Sequence, residues 1–128
     1  MADMTGLWIK TIQRGDHTQT YYAEFHSNGK ATERHFFPED HNSGEQWPAN
    51  WIVIHPMKVP HTLYYDVPTD HGLYVSVAHQ EQDGLWIGAE GRLEPDDKRE
   101  YDSLRAYPTL AQKQLRNLTR VAFVRVGS

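Results

Sequence analysis

The chain has 128 residues, enough for one domain with its own core and too few for two, and it contains no cysteine, which excludes disulfide frameworks, thiolate metal sites and cysteine nucleophiles. Thirteen Lys and Arg against seventeen Asp and Glu give a formal charge of -4, and the scattered Arg105, Lys113, Arg116 and Arg120 form no basic stripe, so nucleic acid is not an expected partner. No run reaches the ~18 apolar residues of a membrane helix, and the opening Met1-Ala2-Asp3-Met4-Thr5 lacks the charged and apolar regions of a signal peptide; a cytoplasmic protein without a membrane partner is expected.

Eight His, seven Tyr, four Trp and four Phe make the composition ring-rich. Such rings either line a pocket or fill the core of a small β domain, where aromatic residues are favoured in any case.

The first strand runs from Gly6 to Ile12, with Leu7, Ile9 and Thr11 on one side and Trp8, Lys10 and Ile12 on the other, and either side suits an interior. Tyr21 to His26 leads into Ser27-Asn28-Gly29-Lys30 and out through Ala31 to Phe37, which predicts a hairpin with Asn28-Gly29 as a two-residue turn. That turn pairs Ser27 with Lys30, Phe25 with Thr32, Ala23 with Arg34 and Tyr21 with Phe36. The inward face is then Tyr21, Ala23, Phe25, Thr32, Arg34 and Phe36, and the charged face of Tyr22, Glu24, His26, Ala31, Glu33, His35 and Phe37 meets water.

Pro38 to Glu45 reads as a long loop, Trp51 to His55 as an apolar strand ended by Pro56, and Thr62 to Val67 as the next strand. Leu73 to Gln80 and Leu85 to Leu93 form a second hairpin about Asp83-Gly84, in which His79 faces Gly88, Val77 faces Glu90 and Val75 faces Arg92. Both of its faces are mixed, and the inside is left open. Pro95, the acidic pair Asp96-Asp97 and the spacing of Tyr101 and Leu104 predict a short helix ending near Pro108, before a last strand from Thr119 to Val126. Seven or eight strands with one late helix favour an all-β antiparallel barrel or sandwich over any parallel fold, a barrel being preferred, with residues 1–128 as a single domain.

Gly6-Leu7-Trp8 resembles the Gly-x-Trp signature of lipocalin-type (calycin) barrels, in which the tryptophan plugs the base of the barrel and a basic residue near the last strand covers its ring. Arg120 or Arg125 would take that role. Glu100-Tyr101, Arg105-Ala106-Tyr107-Pro108-Thr109-Leu110 and Asn117-Leu118-Thr119 are similar to the C-terminal stretch of phenolic acid decarboxylases and MoaF-like proteins, over about a sixth of the chain. The resemblance implies a lipocalin-like barrel with a central cavity for a small, often aromatic, acid, and an arginine in the place of Arg34. It also implies two first-strand tyrosines, where this chain has Lys10 and Ile12, and a deep glutamate, which Pro56-Met57-Lys58 does not supply.

The expected function is therefore binding of a small carboxylate-bearing aromatic or apolar molecule in a lumen lined by Tyr21, Phe25, Phe36 and Trp51, with Arg34 as its anchor and Glu90 within the same lumen. The alternative is a lyase or isomerase in which a tyrosine or Glu90 transfers protons, with His79 on the same face. Glu24, His26, Glu33 and His35 share a hairpin face in this register, but on the solvent side, so neither a metal nor another cofactor is expected. A homodimer formed through an exposed edge or an outer aromatic patch such as Tyr22 and Phe37 is a further arrangement the sequence allows.

Overall fold

The structure, a computed structural model, describes residues 4–35, 46–54, 61–69, 72–93 and 116–127. Within them the chain forms eight strands: β1 (Gly6–Arg14), β2 (His17–Phe25), β3 (Lys30–His35), β4 (Gln46–Ile54), β5 (Thr62–Thr69), β6 (Gly72–Gln82), β7 (Leu85–Leu93) and β8 (Arg116–Gly127). Each pairs antiparallel with its sequence neighbours, and β1 pairs with β8, so the sheet closes into an up-and-down barrel. Eight strands enclose a lumen about wide enough for side chains to fill, or for one small ligand. The predicted helix after Pro95, the loop from Pro38 to Glu45, Phe36 and the Arg105–Leu110 stretch lie outside the described residues.

Turn chemistry sets the registers. Arg14 faces His17 across Gly15-Asp16, with Gly15 at φ +59°, the left-handed conformation a tight hairpin requires and a side chain resists. The Asn28-Gly29 hairpin forms, but in a register one residue away from the predicted one: Phe25 faces Ala31, Ala23 faces Glu33 and Tyr22 faces Arg34. Its loop is longer than two residues. The His26 amide donates to the Lys30 carbonyl at 2.8 Å, the Lys30 amide donates to Asn28 Oδ1 at 3.0 Å, and Gly29 takes φ +80°. This is a three-residue loop with glycine at the left-handed position, the second common use of Asn-Gly.

Because side chains alternate, a slip of one residue exchanges the two faces of β3. Glu33 therefore points inward with Ala31, while Arg34 lies outside with its guanidinium 5.1 Å from the Tyr22 ring centre. Glu24 meets Thr32 and Glu33 meets Ala23, so the two carboxylates no longer share a face.

The second hairpin turns at Asp83-Gly84 as predicted, with Gln82 opposite Leu85, but an irregularity between Gln80 and Gln82 shifts the rest by one. His79 faces Ile87, and Ser76 faces Glu90. Trp86 and Glu90 are buried on the inner face with Ser76 and Ala78, which separates Glu90 from His79.

The interior divides along the barrel axis. At the Gly6 end, Phe25 sits among Trp8, Trp51, Tyr65 and Phe123, with ring centres 5.3–6.1 Å away. The pairs with Trp8, Trp51 and Phe123 are edge to face, an arrangement that contributes about 0.5–1.5 kcal/mol each beyond the area buried. Trp8 Nε1 donates to the Met4 carbonyl at 2.7 Å, and the Arg125 guanidinium lies 4.4 Å from the Trp8 ring centre while donating to the Thr5 carbonyl at 2.9 Å. The expectation of a buried Trp8 under an arginine of the last strand is met by Arg125, and this end is filled.

At Gly88 the backbones of β6 and β7 approach closely. A Cβ there would run into the Val77 carbonyl oxygen and stand 2.6 Å from Ala78 Cα, both backbone atoms that cannot swing aside. Gly88→Ala is expected to lower stability by about 1–3 kcal/mol or more, read as a reduced denaturant midpoint at unchanged slope. An unchanged midpoint would show that β6 and β7 can part without loss.

Candidate functional site

The other end of the barrel is hollow. A cavity of about 350 Å³ opens there, with Lys10, Glu33 and Glu90 at its floor, Tyr21, Trp47 and Tyr74 among its rings, and Arg14 and Gln19 also lining it. A recess of about 110 Å³ continues past Glu90 and Arg14 to Gly91 and Arg92.

Period-two alternation places these groups. Trp8, Lys10, Ile12 and Arg14 follow one another on the inner face of β1, from the filled end to the cavity. On β2, Phe25 and Ala23 belong to the packed interior and Tyr21 to the cavity wall. Trp47, opposite Glu33 in the β3–β4 register, completes that wall, with its ring 6.3 Å from that of Tyr21 and turned 81° to it.

Lys10 is 1 % exposed and its ammonium lies 2.8 Å from Glu33 Oε1 and 2.8 Å from Glu90 Oε1. The Tyr65 hydroxyl donates to Glu33 Oε1 at 3.0 Å, Ser76 Oγ approaches Glu90 Oε1 at 3.4 Å, and Arg14 Nη2 donates to Glu90 Oε2 at 3.2 Å. The Lys10 ammonium also stands 5.0 Å from the Tyr65 ring centre. Buried charges of this kind survive only when paired and hydrogen-bonded, and the cluster supplies both conditions.

Burial opposes the charge on Lys10, but the two carboxylates beside it outweigh burial and hold its pKa above the ordinary value. Burial first, then the charge of Glu33 and its hydrogen bond, push the Tyr65 phenol well above the ordinary tyrosine range. Tyr21 is raised in the same direction, by burial and then by Glu33. The floor thus holds a permanent ammonium and a permanent phenol at neutral pH.

Of the residues expected in the lumen, Tyr21 and Glu90 line the cavity. Phe25 and Trp51 face inward but belong to the filled end, where Trp51 Nε1 donates to the His26 and Lys30 carbonyls at 2.9 and 3.0 Å. Arg34 is on the outer surface for the register reason given above. Phe36 is outside the described residues. The sequence reading missed Lys10, Arg14, Glu33, Trp47 and Tyr74. Lys10 had a usable signal, because choosing Trp8 as an inner residue forces Lys10 inward two positions later. Among the described residues no group of three or more His, Cys, Asp or Glu could hold a metal ion.

No known family model, curated protein or solved structure matches this chain.

Removing one member of the cluster leaves the others buried without a counter-charge. Lys10→Met is expected to destabilise the fold by about 3–5 kcal/mol, measured by chemical denaturation. Stability should also fall as pH rises above 10.0, the ordinary phenol value: Lys10 and Tyr65 both bind their protons more tightly in the fold, so the unfolded chain releases them first and gains by it. A thermal midpoint that stays flat from neutral pH to strong alkali would contradict this assignment.

Proposed function

We propose that the barrel binds a small ring-bearing molecule in the cavity at its open end, with its body between Tyr21, Trp47 and Tyr74 and its polar group at the charged floor. The observation that carries this reading is the cavity itself, which couples aromatic walls to convergent polar groups at a volume near the low end for ligand sites, suited to a one- or two-ring molecule. A lipocalin-like assignment of the barrel accords with Gly6-Leu7-Trp8 and with Arg125 over Trp8. The arginine expected to anchor a carboxylate, Arg34, lies outside, and Arg14 is the cation of the cavity lining with substantial exposure, its side chain being 39 % exposed.

The alternative, a lyase or isomerase working by proton transfer, is less well supported. Lys10 and Tyr65 are both shifted upward, away from the neutral range in which a general acid or base is most effective.

A fragment library of one- and two-ring compounds, screened by ligand-observed NMR, tests the reading. Hits should be lost in Val67→Phe, because Val67 lines the cavity and a ring at that position occupies the volume the ligand needs. The void accommodates the added atoms, so the variant should still melt cooperatively. Hits that bind wild type and variant alike would place the site elsewhere.

A further inference from the structure

Glu33 uses only one of its two oxygens. Oε1 accepts from both Lys10 and Tyr65, whereas Oε2 meets no donor among the described residues, on a side chain that is 8 % exposed and lines the cavity. Oε2 is thus left facing the cavity, where an N–H donor entering from it would gain a charge-assisted hydrogen bond. From this we propose that the cavity takes its ligand as an ammonium: a primary or secondary amine on a ring-bearing body, with its N–H groups donated to Glu33 Oε2. The proposal rests on the reading of the cavity as a ligand site and specifies the chemistry of its occupant.

Two further features agree. The three buried charges at the floor, Lys10, Glu33 and Glu90, sum to one negative charge, and the balancing Arg14 is 39 % exposed, so water and salt screen its contribution. The walls also favour a cation. Tyr21 and Trp47 meet nearly at right angles and Tyr74 adds a third ring, and aromatic faces carry the negative side of the quadrupole. The Tyr21 ring already has the Lys10 ammonium 5.7 Å from its centre. A carboxylate ligand would meet two carboxylates at the floor, and at the mouth an arginine whose Nε and Nη2 are engaged by Gln19 and Glu90.

Calorimetric titration of the intact protein at neutral pH with tryptamine, tryptophol and indoleacetate compares ammonium, hydroxyl and carboxylate on one ring system. Tryptamine should bind about tenfold or more tightly than tryptophol, as expected for a charge-assisted hydrogen bond. Glu33→Gln keeps an acceptor for Lys10 and Tyr65 but removes the charge, and should erase that margin. Arg14→Gln, a change at the partly exposed mouth, should tighten tryptamine and gives an independent reading if Glu33→Gln does not fold. Equal affinity for tryptamine and tryptophol, or a preference for indoleacetate that Arg14→Gln abolishes, would overturn the ammonium assignment and leave small-molecule binding in place. Saturable binding by none of the three would remove the cavity reading together with it.

Discussion

Lys10 stands on β1, and its two carboxylate partners stand on β3 and β7, each two strands away around the barrel in opposite directions. The ammonium therefore ties the sheet to itself across the lumen rather than along one ladder. On one side of this tie lie Trp8, Phe25, Tyr65 and Phe123, packed edge to face; on the other, the space is left unfilled. Apolar residues of similar volume could replace such a cluster at no loss, and often with a gain, in stability. The desolvated charge cluster at the boundary between core and cavity is the feature on which the proposed ligand site rests.

The division of rings follows from the same boundary. Tyr65 touches both regions: its ring packs 5.3 Å from those of Phe25 and Phe123, while its hydroxyl ends on Glu33. An amphipathic ring of this kind joins an apolar plug to a polar floor without leaving an orphaned hydroxyl. Composition alone offered the rings as pocket or as core, and the structure uses them for both, at different heights along the axis.

Much of the architecture was legible. The all-β class, the two glycine hairpins and the closing strand follow from local patterns that do not depend on register, and the Trp8–arginine pair was implied by the resemblance of Gly6-Leu7-Trp8 to the lipocalin-type signature. The inward face assigned to β2, with Tyr21, Ala23 and Phe25, held, whereas the one assigned to β3 did not. Asn28-Gly29 fits both a two-residue and a three-residue loop, and the choice between them decides whether Arg34 or Glu33 enters the lumen. At β6–β7 the tip was right, but the irregularity beside Glu81 has no marker in the sequence, and it moved Glu90 away from His79. Gly15-Asp16 was a readable turn signal that would have defined β2 from its start. Trp47 and Tyr74 could be placed only once the barrel closed, because their relation to Glu33 and Glu90 is made by tertiary packing.

The pairing of β1 with β8 has a consequence for how the barrel is made. Leu7 lies opposite Gly127, and Ile12 opposite Val121, so the last ladder joins the two most distant strands of the sequence. Until it forms, β1 and β7 each present an unsatisfied row of amides and carbonyls, and β8 covers both at once. Loop-closure entropy for that step falls on nearly the whole chain, which places this barrel among topologies whose folding is slow for their size. Partly synthesised or partly folded chains are accordingly the species most exposed to edge-to-edge association, and β8 is the segment whose arrival ends that exposure.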